Sequence, residues 1–165
     1  MSENLAEDLK KVDELISGIR IAMLTTVDTD GSLHSRPMAL QEEAFDGDIW
    51  FFTDEGSGKV FEIEKEHHVN VAFSDPAHNR YVSASGLAEL TTDKAKIHAK
   101  WKPALKAWFP DGPDSPGIAL LKVKVSSIQY WDAPNNAMVH LFGVVKATLT
   151  GKGASPGENE TISLK

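Results

Sequence analysis

The stretch HVNVAFSDPAHNRYVSASGLAELT, residues 68–91, decides how this chain folds. Apolar and polar side chains alternate in its first third, with Val69, Val71 and Phe73 on one side, and this period of two is typical of a half-buried β-strand. A turn signal follows at residues 76–79, and a second extended run begins at once. Because strands joined by a short turn pair antiparallel, the stretch predicts a β-hairpin. Gly86 indicates a β-bulge in its second strand.

Five further segments have the pattern of strands. They are 21–28 (IAMLTTVD), 33–40 (LHSRPMAL), 48–53 (DIWFFT), 118–132 (IALLKVKVSSIQYWD) and 138–150 (MVHLFGVVKATLT). Short turn signals such as TDGS and APNNA favour antiparallel pairing over the parallel sheet of a Rossmann fold. Pro37 has no N–H to donate, so its strand should lie at a sheet edge or contain a bulge. The sequence predicts a mainly β protein with six or seven antiparallel strands in a small closed or nearly closed barrel.

Helical patterns flank these strands. Residues 4–18 carry apolar side chains at spacings of three and four and should end at Gly18. KVFEIEKE, 59–66, predicts a short helix. The apolar residues of this short helix that should turn partly inward are Val60, Phe61 and Ile63.

A third helical pattern spans residues 93–109 and is interrupted at Pro103. It would place Trp101 and Trp108, seven residues apart, on one face of a helix. At this spacing we expect both rings to belong to the core.

Length and composition indicate the class of protein. A chain of 165 residues is most simply one domain, here residues 1–150, followed by a polar and mobile tail at 151–165. The formal net charge is −7 and no dense Lys/Arg cluster exists, which disfavours nucleic acid as a partner. The absence of cysteine excludes disulfides, thiolate metal ligands and cysteine nucleophiles. Without a signal-peptide core or a membrane-length apolar run, we expect a cytoplasmic protein that does not enter membranes.

The loop in IWFFTDEGSGK, 49–59, resembles a phosphate cradle because two glycines, a serine and a lysine follow an apolar strand. A P-loop requires a glycine five residues before its Gly-Lys pair and a Ser or Thr after the lysine. Thr53 and Val60 occupy these positions, which disfavours a P-loop NTPase. A helix that begins near Ser57 would offer backbone N–H groups to an anion. Alternatively, Ser57 is an ordinary helix cap.

Candidate ligand-binding side chains are few. Arg36 and Lys59 would converge on one anion if their elements meet at the end of the sheet, or they are two separate surface charges. The histidines lack metal-ligand spacing, so no metal site is predicted. No catalytic residue can be named, because the nucleophile-elbow pattern is missing. Trp131 ends a long strand, where its ring would either cover a ligand or pack in the core.

Several motifs, taken in order, resemble one family. RPM, IWFFTDEGSGK, VNVAFSDPAHNRYVSASGLAEL and YWDAP are similar to the general stress protein 26 branch of the pyridoxamine-5′-phosphate-oxidase-like family, over about residues 5–150. This resemblance implies an FMN-binding split β-barrel, with FAD as a possible alternative cofactor. It also implies a homodimer with the flavin at the subunit interface.

The resemblance also implies which residues contact the flavin. In the family, a T-x-x-x-S-R-K turn binds the phosphate and ribityl chain; Thr53, Ser57 and Lys59 match it, whereas Gly58 replaces the arginine. Loss of that arginine removes a bidentate donor. The remaining positions implied by the resemblance are Arg36, Pro37, Met38, Gln41, Phe52, Tyr81 and Trp131.

The chain departs from true pyridoxamine phosphate oxidases after Trp131. Those enzymes end with an arginine- and histidine-containing motif for the substrate phosphate, whereas DAPNNAMVHLFG contains no arginine. We therefore expect no pyridoxamine phosphate oxidation. Two hypotheses remain: an FMN-dependent oxidoreductase of unknown substrate, and a non-enzymatic flavin-binding or flavin-buffering stress protein. A haem- or deazaflavin-binding relative of the same barrel is a third.

Overall fold

A computed structural model describes residues 3–133 and 158–164 of the chain. The helices are α1 (Glu3–Ile16), α2 (Gly58–Lys65) and α3 (Lys94–Lys100), with short 3-10 helices at Pro76–His78, Pro103–Ala107 and Gly112–Asp114. The strands are β1 (Ile21–Val27), β2 (Leu33–Ala39), β3 (Asp48–Asp54), β4 (His68–Asp75), β5 (Arg80–Thr91), β6 (Ile118–Asp132) and β7 (Glu158–Ser163). None of the helices in these two ranges is long and apolar enough to cross a membrane.

The predicted hairpin is the centre of the sheet. Strands β4 and β5 pair antiparallel from His68–Leu87 to Asp75–Arg80, and Asn79 closes the turn in the left-handed conformation. The register between β5 and β6 shifts at Ser85/Gly86, which confirms the predicted bulge. A Cβ on Gly86 would lie 2.2 Å from the Lys124 carbonyl oxygen. Glycine at this position therefore allows two backbones to approach closely.

All described strand pairs are antiparallel, in the order β2-β1-β4-β5-β6-β3 with β7 added to β6. The predicted mainly β class and strand number are thus confirmed. Strand β2 lies at one end of this order, as Pro37 indicated. One edge of β6 serves two partners in succession: residues 118–124 pair with β3, and 127–132 pair with β7.

The C-terminal region differs from the prediction. A polar and mobile tail was expected after Gly151, but residues 158–163 form β7, and Ile162 is buried in the core. The free edge of β6 provides backbone partners for this segment, and such partners outweigh its polar composition. The strand predicted at 138–150 lies outside the described residues.

Two apolar clusters lie among the described residues. The larger lies between the curled sheet and α1, where Val12 and Leu15 pack onto strand residues such as Leu24, Val71 and Ile128. Helix α1 ends before Gly18, which adopts φ +81° as the predicted stop signal requires. The smaller cluster lies beneath α3. Its buried members are Phe52, Ile97, Leu105, Ile118 and Leu120.

The helix prediction for 59–66 is wrong in one side chain. Val60 and Ile63 are buried as expected, but Phe61 is 55 % exposed and Glu62 is buried instead. On a helix, 61 and 62 flank the stripe formed by 60 and 63 at equal angles, so periodicity could not decide between them. Glu62 turns inward because Arg36 lies there as its ion-pair partner.

The predicted single face for Trp101 and Trp108 is also wrong. Helix α3 ends at Lys100, and a separate 3-10 helix begins at Pro103, because proline cannot continue the hydrogen-bond ladder. Trp101 is half-buried and meets the Phe52 ring edge-on at 6.0 Å. Trp108 is 65 % exposed.

Candidate functional site

A cleft of about 450 Å³ opens where β2, β3 and the start of α2 face the segment 103–116. This volume lies within the range of small-molecule sites. Half of the predicted contact residues line the cleft: Met38, Gln41, Phe52, Thr53 and Lys59. The strand pairing explains this, since β2 and β3 are the two ends of the curled sheet and approach each other here.

Thr53 lines the cleft and carries a buried, unpaired polar atom. Its side chain is 4 % exposed, and its Oγ1 is the one buried side-chain polar atom in 3–133 and 158–164 that lacks a hydrogen-bond partner. A buried hydroxyl in this condition costs free energy that a ligand oxygen or donor would recover. The residue therefore fits a ligand that hydrogen-bonds at this end of the cleft.

Lys59 lines the same cleft as Thr53, and Ser57 is its hydrogen-bond partner. Ser57 occupies the N-cap position of α2, but its hydroxyl makes no capping hydrogen bond. Instead, Lys59 Nζ donates to Ser57 Oγ at 3.1 Å. Desolvation lowers the pKa of Lys59, with a further contribution from the positive charge of Arg36, while Asp54 opposes both effects. The ammonium thus lies in a partly dry setting that suits an anionic ligand.

Arg36 does not point freely into the cleft. Its Nη2 donates to Glu62 Oε2 at 2.9 Å, and its Nη1 donates to Thr26 Oγ1 at 2.5 Å. The positive charge of this guanidinium reaches Lys59 and contributes to lowering the pKa of that lysine. Arg36 is not among the residues that line the cleft, so convergence of the two cations on one anion remains a prediction. The guanidinium, however, is already held by a buried carboxylate.

Glu62 was missed by the sequence analysis. Its Oε1 lies 2.9 Å from His34 Nδ1, and its Oε2 also accepts from Thr26. Hydrogen bonds from Thr26, then His34, and the Arg36 partnership lower the pKa of Glu62 to about 2, against an opposing desolvation effect. Phe61 and Glu62 lie at equal angles from the apolar stripe of the helix, so the sequence pattern does not show that Glu62 is the buried one. Its burial could be predicted only if Arg36 were known to be its partner.

The same cluster holds three groups of metal-ligating type. Ligand atoms of Asp28, His34 and Glu62 lie within 4.8 Å of one another, although no metal site was predicted from the spacing of the histidines. The contacts of Glu62 to Arg36 and Thr26 already supply positive charge and hydrogen bonds to its carboxylate. We interpret the group as an ion-pair cluster on that ground.

The far wall of the cleft was also missed. The segment 103–116 contributes Trp108, Phe109 and Asp111, while Phe109 packs at 6.3 Å from the Phe52 ring. A planar ligand could lie against the exposed Trp108 ring. The signal was present in the tryptophan itself, but the assumption of a continuous helix assigned it to the core.

Tyr81 and Trp131 lie on another face. They are paired directly across β5 and β6, are 42 % and 36 % exposed, and line neither end of the cleft. The exposed Pro37 pairs with Met23, which register places on this same outer side. Trp131 is thus no core residue of the single chain.

Comparison with known proteins relates this architecture to a described family. The model of the family described as pyridoxamine 5′-phosphate oxidase like matches residues 7–155. Protein bli-3 of Neurospora crassa is 29 % identical over 96 % of this chain and 81 % of its own length.

Two solved structures share the fold. A general stress FMN/FAD binding protein from Xanthomonas citri is 31 % identical, with a TM-score of 0.66 over 80 % of this chain and 92 % of the other. A protein from Clostridium acetobutylicum, related to general stress protein 26 and of the pyridoxinephosphate oxidase family, is 19 % identical. It has a TM-score of 0.72 over 96 % and 95 % of the two chains. The sheet described above is therefore a split barrel.

Proposed function

Because the chain belongs to the pyridoxamine 5′-phosphate oxidase-like family and is similar to general stress proteins, we propose that it belongs to the general stress protein 26 branch and binds flavin mononucleotide in the cleft lined by Thr53 and Lys59. The observation that carries this proposal is that Thr53, with its buried and unpaired Oγ1, and the partly desolvated Lys59 line one cleft. Binding of FMN or FAD by the Xanthomonas citri relative supports the choice of ligand. FAD is the alternative, and the 450 Å³ cleft does not discriminate between them.

In this proposal Thr53, Ser57 and Lys59 hold the phosphate end. Lys59 supplies charge, and Thr53 and Ser57 supply hydroxyl groups. Met38 and Gln41 on the other rim would contact the flavin ring, and Trp108 would cover one face of it. Bound flavin would supply the redox chemistry, and the protein would bind and orient it.

We propose further that two copies of the chain complete the site. Tyr81 and Trp131 do not reach the cleft of their own chain, so the flavin contact implied for them would have to come from a second copy. Other exposed apolar side chains on neighbouring strands support an interface. Together with Trp131, they are Ile21, Met23 and Leu87.

A comparison of two ligands tests the site. Lys59→Ala should weaken FMN binding by about 1.5–3 kcal/mol, the range for a hydrogen bond to a charged group, and riboflavin binding by much less. Fluorescence titration of both flavins provides the measurement. Lys65→Ala, on the exposed side of the same helix, controls for a general loss of positive charge. Equal losses for both flavins would rule out phosphate recognition by Lys59.

We also propose a catalytic role: the chain is an FMN-dependent oxidoreductase of unknown substrate. Multiple turnovers of NADH or NADPH by the loaded protein, with an electron acceptor present, would support it. A flavin that binds but is not reduced would favour the non-enzymatic flavin-binding stress protein. Pyridoxamine phosphate should not be oxidised, because the chain after Trp131 lacks the required arginine.

A further inference from the structure

Lys59 lines the cleft, and the charge of Arg36 reaches it from outside the lining; the two cations differ in their partners. Lys59 is bonded through Nζ to a neutral hydroxyl, Ser57 Oγ, at 3.1 Å. Arg36 is bonded to a carboxylate, Glu62, at 2.9 Å. A guanidinium whose charge is already balanced attracts a phosphate less than one that is free. Glu62 therefore reduces the positive potential of the site.

Glu62 is well placed to hold Arg36. Its side chain is 11 % exposed and belongs to α2, the helix that begins at Lys59's own turn. Thr26 bonds to both partners, since its Oγ1 contacts Arg36 Nη1 and Glu62 Oε2. The guanidinium is thereby fixed at two of its nitrogens, and it cannot turn to a ligand without breaking these bonds.

His34 shares the second oxygen of Glu62. Its Nδ1 lies 2.9 Å from Glu62 Oε1 and 3.9 Å from Asp28 Oδ2. The hydrogen bond to Glu62 raises the pKa of His34, assisted by the negative charges of Glu62 and Asp28, and opposed by desolvation and Arg36. Asp30 is the remaining charged group whose titration senses this ring. When His34 is protonated, its positive charge competes with Arg36 for the carboxylate of Glu62.

We propose that Glu62 is a positioning residue that sets how strongly the site prefers a phosphorylated flavin. It holds Arg36 against Thr26, so that Lys59 is the main cation offered to the phosphate, and protonation of His34 counteracts this effect. The inference rests on the proposed function, because it takes the ligand to be flavin. It concerns selectivity between FMN and riboflavin, not flavin binding itself.

The first test is Glu62→Gln, with the ratio of FMN to riboflavin affinity as the readout. Removal of the carboxylate charge should raise this ratio about fivefold, the order expected for one charge near a partly screened site. Glu64→Gln removes the same charge from the exposed side of the helix and should leave the ratio unchanged. A folded Glu62→Gln protein with the wild-type ratio would overturn the inference, and so would an equal rise in Glu64→Gln.

The second test keeps Glu62 and varies pH between about 5.5 and 8. FMN gains negative charge over this range because the phosphate ionises near pH 6, so the wild type is compared with His34→Gln. For each protein the readout is the ratio of FMN to riboflavin affinity. The wild-type value, divided by the value for His34→Gln, should fall as pH rises, because His34 loses its proton. Parallel profiles would overturn the inference even if Glu62→Gln fails to fold.

These outcomes remain distinct from failure of the proposed function. If the wild type binds neither flavin, both proposals are overturned together. If it binds both flavins but Glu62 and His34 do not change the ratio, only the inference about Glu62 is overturned.

Discussion

A buried hydroxyl without a partner destabilises a folded chain, and Thr53 carries such a group at the cleft. The cost of leaving one unsatisfied is about 1–3 kcal/mol. The Thr53 hydroxyl adds nothing to folding, yet Thr53 lines the same cleft as Lys59, so ligand binding explains this residue better than stability does. Stability and affinity should therefore respond to Thr53 in opposite directions.

We predict this opposite response for Thr53→Val, which replaces the hydroxyl by a methyl group of similar size. The free energy of unfolding without ligand should rise by about 1 kcal/mol, since an unsatisfied polar atom is removed. FMN affinity should fall, because the ligand loses a hydrogen bond. Urea denaturation and flavin titration measure the two effects. Thr53→Ser retains the hydroxyl and should retain most of the affinity; if Thr53→Val binds FMN as the wild type does, the assignment fails.

Glu62 makes stability depend on pH. The pKa of Glu62 is about 2 in the folded chain, against 4.5 for an ordinary glutamate, so the folded state binds the proton less readily than the unfolded state. The stabilisation is present above about pH 4.5 and is lost as pH falls towards 2. We predict that the difference in unfolding free energy between wild type and Glu62→Gln shrinks from about pH 5 to pH 3. Denaturant titrations at each pH measure it, and a constant difference would contradict the assignment.

Among the elements, the β4–β5 hairpin and its bulge were the most predictable. Clean alternation, a short turn and one glycine identified both strands and the irregularity between Ser85 and Gly86. The nearest atoms to a Cβ at Gly86 all belong to the backbone, of Lys124 and Val125. The bulge therefore depends on the absence of a side chain at this position.

We predict that Gly86→Ala lowers the free energy of unfolding by about 1–3 kcal/mol, the usual cost of forcing extra atoms into a packed region. Thermal and urea denaturation provide the measurement. Gly58→Ala is a matched control, because a Cβ there has no neighbour within 4 Å and φ is not positive. Similar stabilities for the two variants would show that the β5–β6 backbones separate easily.

What could not be predicted shares a physical reason. Strands, turns and the edge position of Pro37 follow from local patterns. The exposed Trp108 and the buried Glu62 depend on contacts between distant parts of the chain, which no local period records. β7 was missed for the same reason: its polar sequence has no strand pattern, and it forms a strand because it pairs with the edge of β6.

At the scale of the whole molecule, the sheet has two different sides. The inner side packs on α1 and buries Leu24, Val71 and Ile128. The outer side exposes Met23, Tyr81 and other apolar residues in the single chain. An exposed apolar surface of this kind is typical of a contact with another chain, which agrees with the proposed dimer.

We predict that flavin binding and dimerisation are linked through Trp131. A ligand that contacts two chains binds the dimer and must favour association by mass action. FMN should therefore lower the dimer dissociation constant and raise the thermal midpoint, and Trp131→Ala should reduce both effects. Sedimentation at low protein concentration, with and without FMN, measures the linkage. Phe61→Ala removes an exposed aromatic from α2 and should change neither; a monomer that binds FMN with full affinity would exclude a shared site.

The double use of one edge of β6 has a consequence for synthesis of the chain. Residues 127–132 pair with β7, which ends 31 residues after β6 does, from Asp132 to Ser163. At a translation rate of about 5–20 residues per second, the partner is complete about two to six seconds after β6. Until β7 joins the sheet, the described residues offer no other partner to this part of the β6 edge, and unpaired edges pair readily with copies of themselves. A chain that ends before Glu158 should therefore associate with its own copies more readily than the full chain.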